Sequence, residues 1–144
     1  MVQIDLNADL GEFQDAILTA AIMPFISSCN VACGGHAGDE RTIRETIRLA
    51  KEYGVAVGAH PSYPDRENFG RKTMQLPAEQ LSDAIHQQLA LMAKIGEEEG
   101  VILHHVKPHG ALYNQAGKDE ALSAQLIAIS KTYGAPPLMG LAKG

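Results

Sequence analysis

Three strand-like segments of the chain each end in a histidine, and this recurrence constrains the fold more than any other feature. The segments cover residues 30–36, 55–60 and 102–109. A fourth segment, residues 2–9, opens the chain and carries a polar side chain at every second position. If the four strands belong to one parallel sheet, their carboxyl ends lie at a common edge. We therefore expect the histidines to converge there.

Two of these segments show the two-residue spacing that places side chains on one face of a strand. The polar positions are Asp5, Asn7 and Asp9 in the first segment and His105, Lys107 and His109 in the last. Polar groups are costly to bury unless they have partners. A sheet that gathers them on one face is typical of an active site.

Helical patterns separate the strands. They cover residues 17–23, 39–54, 76–100 and 122–134, and a final strand is predicted at 137–141. Strands that alternate with helices predict an α/β fold with a parallel sheet, here of about five strands. The polar face suits an irregular (β/α) barrel better than a sheet covered by helices on both sides. A doubly wound sheet is the alternative.

The length is short for the predicted barrel. A (β/α) barrel usually takes about 200 to 250 residues, whereas this chain has 144. We expect residues 1–144 to form a single domain that is the N-terminal part of a longer barrel. Alternatively, a second copy or another subunit covers the open sheet edge, because exposed edges are normally protected.

Composition excludes several classes of protein. The net charge is −5 and no basic cluster is present, which argues against a nucleic-acid surface. No apolar stretch approaches the roughly 20 residues of a membrane helix. The N-terminus shows no signal peptide, so we expect a cytoplasmic protein. Cys29 and Cys33 have neither zinc-pair nor CxxC spacing and are predicted to be buried thiols.

The first polar segment offers several oxygen ligands. Asp5, Asn7 and Asp9, with Glu12 just beyond them, could hold a divalent metal, fix a substrate ammonium group or act as a base. The simpler alternative is a strand end whose carboxylates bond to turn amides.

His36 and His60 follow strands at equivalent places, where barrel enzymes keep catalytic groups. With Asp9 they form a candidate metal-ligand set. Lys107 would be costly to bury unless it pairs with a carboxylate or an anionic ligand. The structural alternatives are satisfied core histidines and a lysine–aspartate pair without a catalytic role.

The long connection at residues 61–72 is typical of a lid or a binding loop. Arg66 and Arg71 lie in it and could clamp a carboxylate or phosphate by paired hydrogen bonds. The same charges could equally form a solvated surface.

Four separated motifs, at residues 5–12, 33–39, 58–61 and 105–113, together resemble the LamB/YcsF family, which is the A subunit of bacterial 5-oxoprolinase. The resemblance spans the whole chain. It implies an irregular (β/α) barrel similar to that of sugar deacetylases and related glycoside hydrolases. It also implies ATP-dependent opening of 5-oxo-L-proline to L-glutamate, together with partner subunits B and C. The cofactors expected are ATP and Mg²⁺ or another divalent cation.

On this interpretation, the sequence predicts two groups of site residues. The catalytic candidates are Asp9, His60, Lys107 and His109. The candidates for binding substrate or nucleotide are Asp5, Asn7, Glu12, His36, Arg66, Arg71 and His105. Two other functions stay open: a divalent-metal-dependent hydrolase or deacetylase with Asp9, His36 and His60 as ligands, and a non-catalytic chain that only docks partners.

Overall fold

A four-stranded parallel sheet connects the polar segments, and this computed structural model describes residues 3–134 and 136–142. The strands are β1 (Asn7–Leu10), β2 (Ser28–Ala32), β3 (Ala56–His60) and β4 (His105–Val106). The helices are α1 (Ala16–Ile22), α2 (Glu40–Tyr53), α3 (Ala78–Glu99), α4 (Gly110–Ala116) and α5 (Glu120–Lys131), with a 3₁₀ turn at Met23–Phe25. The predicted α/β class is confirmed.

The strand order β1-β2-β3-β4 follows the order of the chain, and every pairing is parallel. The first three helices neighbour one another in chain order, α1 contacting α2 and α2 contacting α3, and α5 contacts both α3 and α4. Polar groups occupy the other face of the sheet, which a doubly wound fold would cover with helices. The arrangement is consistent with part of a (β/α) barrel.

The helix boundaries follow from the capping residues that the sequence predicts. The Asp39 carboxylate accepts a hydrogen bond from the Thr42 backbone N–H and begins α2. Gly54 ends that helix in the left-handed conformation with φ 68°, and Gly100 ends α3 with φ 69°. Between these ends, the apolar faces of both helices are buried against the sheet and each other.

Strand register separates two chemically different rows. The row that joins the sheet to the helices consists of Leu10, Val31, Ala59 and Val106, all buried. The preceding row consists of Asp9, Asn30, Gly58 and His105. Since side chains alternate along each strand, this second row faces the opposite side and forms the floor of the polar site.

Three predictions of local structure need correction. The first strand begins at Asn7, so Asp5 lies before it. The expected fifth strand is reduced, within the described residues, to one bridge between Val106 and Leu138, because Pro136 and Pro137 have no N–H to donate. Helix α4, which begins directly after His109, is not predicted by the sequence pattern.

Both cysteines are buried and unpaired, as predicted, and burial raises the pKa of each thiol to about 12. Among the described residues, no helix has the length and apolarity needed to cross a membrane.

Gly58 is where the sheet is most sensitive to an added methyl group. A Cβ atom there would overlap the His105 ring, whereas a Cβ atom at Gly140 would meet nothing within 4 Å. We expect Gly58→Ala to lower the free energy of unfolding by about 1–3 kcal/mol. Urea denaturation should show Gly140→Ala within about 0.5 kcal/mol of the unchanged chain. Equal stability of the two variants would contradict the close packing of His105 over Gly58.

Candidate active site

The centre of the site is an ion pair between the first and last strand segments. Lys107 Nζ lies 2.8 Å from Asp9 Oδ1, and the two side chains are 23% and 36% exposed. Asn30 Nδ2 donates to the same carboxylate oxygen at 2.7 Å. Oδ2, the other oxygen of Asp9, lies 3.5 Å from His60 Nε2. Asp9 is thus held on one oxygen and open to the site on the other.

Asn30 is a site residue that sequence analysis missed. Its side chain is fully buried and exchanges hydrogen bonds with the Asn7 amide while its Oδ1 contacts His105 Nε2. Because a carbonyl oxygen only accepts, His105 Nε2 carries the proton that it donates to Asn30. This bond crosses Gly58, whose lack of a side chain leaves room for the His105 ring.

His60 and His109 meet at the carboxyl ends of β3 and β4, as the sequence predicts. His109 Nδ1 lies 3.0 Å from His60 Nε2. The outer nitrogen of each ring faces a backbone carbonyl: His60 Nδ1 lies 2.6 Å from the Lys107 oxygen, and His109 Nε2 lies 2.9 Å from the Phe69 oxygen. Both rings are buried, so their orientations are fixed from both sides.

Glu12 and His36 complete this group. His36 Nε2 lies 3.0 Å from Glu12 Oε1, and the same oxygen lies 3.6 Å from His109 Nδ1. The His36 and His109 rings stack with centroids 3.6 Å apart and planes 3° from parallel. His36 Nδ1 is buried and has no hydrogen-bond partner among the described residues.

Phe69, in the long connection, closes one side of the histidine group. It is a non-glycine residue with a positive φ of 54°, which costs free energy and is found disproportionately at functional sites. Its carbonyl holds His109, and its ring lies edge-on to His36 at 5.0 Å between centroids. The loop therefore contributes an aromatic side chain and a backbone acceptor, neither of which sequence analysis singled out.

The two predicted arginines of this loop have other contacts. Arg66 Nη1 donates to the carbonyl oxygens of Gly34 and Gly38, which ties the loop to the β2–α2 connection. The Arg71 guanidinium lies over the Phe69 ring, 5.0 Å from its centroid. Asp5 is exposed in front of β1. A direct role for these three in binding an anion or substrate stays a prediction.

Burial and charge perturb the titrating groups of the site. Burial alone would raise the pKa values of Asp9 and Glu12, but neighbouring histidines, and for Asp9 also Lys107 and Asn30, hold both below their usual range. Burial lowers the pKa of His36 despite the adjacent Glu12 carboxylate. The pKa of His109 falls to about 4, through burial and then the neighbouring His36.

Four side chains of the site could hold a metal ion. One ligand atom from each lies within 4.8 Å of all the others; the residues are Glu12, His36, His60 and His109. The set differs from the predicted Asp9, His36 and His60, because Glu12 and His109 join it while Asp9 pairs with Lys107. Three imidazoles and one carboxylate are ordinary ligands of a divalent ion, so the residues fit such a group.

The fold and this group of side chains define a class of α/β proteins with a polar site at the carboxyl edge of a parallel sheet. The model of the LamB/YcsF family matches residues 4–143, and the chain belongs to that family. It is also similar to a solved crystal structure, described as a lactam utilization protein from Thermus thermophilus, with 42% sequence identity and a TM-score of 0.90. The match covers 97% of this chain and 58% of that protein.

The buried His105 makes the stability of the chain depend on pH. Burial, with His104 and Lys107 nearby, lowers the pKa of His105 to about 4, whereas an unfolded histidine titrates near its usual pKa of about 6.5. Between these values the unfolded chain binds a proton that the folded chain does not. We therefore expect the free energy of unfolding to decrease as the pH falls from about 6.5 to about 4.

The control is His105→Gln, because the glutamine amide can still donate to Asn30 but does not titrate. Urea denaturation at several pH values in this window should show a weaker pH dependence for the variant. The same slope in both proteins would contradict a buried neutral His105.

Proposed function

We propose that this chain is the A subunit of an ATP-dependent 5-oxoprolinase, which acts with subunits B and C to open 5-oxo-L-proline to L-glutamate. Membership of the LamB/YcsF family supports the proposal, and so does the likeness to a lactam utilization protein, since 5-oxoproline is a five-membered lactam. The observation that carries it is the Lys107–Asp9 pair beside His60 at the carboxyl edge of the sheet.

The chemistry explains why such a pair is useful. An unstrained lactam reacts slowly with water at neutral pH, so its carbonyl carbon must be activated. Transfer of the ATP γ-phosphoryl group to the lactam oxygen does this and releases ADP. Water then adds to the carbon, the C–N bond breaks, and the ring nitrogen takes a proton. A second water releases phosphate from the resulting acyl phosphate and leaves L-glutamate.

Lys107 supplies the positive charge that this sequence of steps needs. The Lys107 side chain is only 23% exposed, so its interaction with a phosphoryl group is less screened than at the surface. The phosphoryl group carries negative charge while it is transferred, and further negative charge grows on the β–γ bridging oxygen of ATP as the bond to it breaks. A fixed cation aimed at that charge stabilises the transition state without reorganisation.

Asp9 is the group that we assign to the attacking water. Oδ1 is occupied by Lys107 and Asn30, so Oδ2 is the oxygen that can accept a proton. The low pKa of this carboxyl keeps it ionised and also makes it a weak base. On this assignment, activation by ATP and the charge of Lys107 carry most of the rate enhancement.

The other predicted site residues surround this pair. Asn7 and His105 form hydrogen bonds to Asn30 from opposite sides, and Asn30 in turn donates to Asp9. Both residues therefore act by fixing the position of Asp9. We assign His36, His60, His109 and Glu12 to the part of the site that receives substrate and a divalent cation.

The role of Lys107 can be tested in the enzyme reconstituted with subunits B and C. We expect Lys107→Met to lower 5-oxoproline-dependent ADP formation by about 100-fold or more, because a charge that stabilises the transition state is lost. Lys94→Met is the matched control, since Lys94 is a 59% exposed lysine on α3. Coupled measurement of ADP and L-glutamate reports the reaction.

Two results would count against this proposal. Unchanged turnover in Lys107→Met would remove the role of the ammonium group. Full turnover by variants at Asp9, Lys107 and His60 together would show that the chain only docks its partners.

A metal-dependent hydrolase or deacetylase is a second candidate, favoured by the convergence of Glu12, His36, His60 and His109. The bound ion would supply a Lewis acid. In that case Lys107 and Asp9 would orient the substrate amide, and Asp9 would take a proton from the attacking water and pass it to the leaving nitrogen.

The second candidate makes a separate prediction. Hydrolysis of a lactam or N-acetyl substrate by this chain should proceed without ATP, stop after treatment with a chelator and return with one kind of divalent ion. Product formation measured by mass spectrometry, with and without ATP, distinguishes the two candidates. Hydrolysis that requires ATP under all metal conditions would contradict the second.

A further inference from the structure

The orientation of His60 fixes which of its nitrogen atoms carries the proton. Nδ1 lies 2.6 Å from the carbonyl oxygen of Lys107, and a carbonyl oxygen can only accept. Nδ1 therefore donates. The neutral ring then has its lone pair on Nε2, which points into the site, 3.5 Å from the Asp9 carboxylate.

In His109 the nitrogen that donates to a backbone carbonyl is Nε2 instead of Nδ1, and the inner nitrogen again keeps the lone pair. His109 Nε2 lies 2.9 Å from the Phe69 carbonyl oxygen and donates to it, so the lone pair of the neutral ring is on Nδ1. This atom lies 3.0 Å from His60 Nε2. Two lone pairs that face each other at this distance repel unless something positive lies beside them.

Further electron-rich groups surround the same place. Glu12 Oε1 lies 3.6 Å from His109 Nδ1, and the buried ring of His36 contacts that oxygen. His36 Nδ1 has no partner among the described residues. The group thus contains more acceptors than the surrounding side chains and backbone can satisfy, and a bound cation would correct this imbalance.

We propose that Glu12, His60 and His109, with His36 beside them, form a binding site for a divalent first-row transition-metal ion such as Zn²⁺. Imidazole nitrogen suits these ions, whereas Mg²⁺ prefers oxygen ligands and retains water. The Lys107 and Phe69 carbonyls accept from the outer nitrogen atoms of the two rings. Histidines that bind metals almost always have such a partner, which fixes the ring and its tautomer.

The inference rests on the proposed function only for the location of the site. It names the class of ion and its ligands, and it implies that the Mg²⁺ of Mg·ATP is held elsewhere. Metal binding can therefore be measured without turnover. A chain that binds the ion but does not support ring opening would keep this inference and remove the proposed reaction.

The test uses the untagged, metal-free chain in isothermal titration with Zn²⁺ and with Mg²⁺. We expect one Zn²⁺ per chain and at least about 100-fold weaker binding of Mg²⁺. Co²⁺ should occupy the same site and develop the visible absorption of a nitrogen-ligated ion. Binding of Mg²⁺ as tight as that of Zn²⁺ would overturn the assignment.

Two variants remove one ligand atom each while keeping the outer hydrogen bond. In His60→Asn the amide can still donate to the Lys107 carbonyl, and in His109→Gln it can still donate to the Phe69 carbonyl. We expect each variant to weaken Zn²⁺ binding by about 100-fold or more, at least as much as loss of an outer partner does. The Co²⁺ spectrum should change accordingly.

His86→Asn is the matched control, since His86 lies on α3 and contacts Tyr133. It should bind Zn²⁺ as the unchanged chain does, and circular dichroism would verify that all three variants are folded. Folded His60→Asn and His109→Gln variants with undiminished Zn²⁺ affinity would overturn the proposal. So would the absence of Zn²⁺ binding by the unchanged chain, which would leave a shared proton between the two rings.

Discussion

One row of residues across the sheet supports the whole polar site. Asp9, Asn30, Gly58 and His105 lie side by side in successive strands, and hydrogen bonds from His105 to Asn30 and from Asn30 to Asp9 connect them. Buried polar groups are tolerated only when they have partners. The position of Asp9, and through it that of Lys107, therefore depends on a glycine that leaves room for the His105 ring.

The row also explains why the site divides into two parts. Around Asp9 each donor has an acceptor, so this part is ordered by direct hydrogen bonds between protein groups. Around His60 and His109 the outer nitrogen atoms are satisfied by carbonyls, but the inner ones face each other. The first part therefore holds a fixed positive charge beside a carboxylate, and the second holds buried acceptor atoms close together.

The long connection after β3 links the two parts to the rest of the molecule. Phe69 provides a backbone acceptor for His109 and an aromatic wall for His36, at the cost of an unfavourable backbone conformation. Arg66 fastens the same loop to the β2–α2 connection. The loop thus forms a fixed wall of the site, and the hydrogen bonds of Arg66 hold its backbone in position.

Local rules in the sequence were enough to determine the α/β class, the ends of α2 and α3, and the strand ends that carry His36, His60 and His109. Each depends on neighbours along the chain: a capping side chain, a glycine with positive φ, or an alternating pattern. Tertiary structure alone decided that Asn30 supports Asp9, that Glu12 joins the histidines, and that two distant carbonyls fix the proton positions of His60 and His109. These contacts join residues from different strands and loops. Their geometry follows from strand register and loop path, which no local pattern encodes.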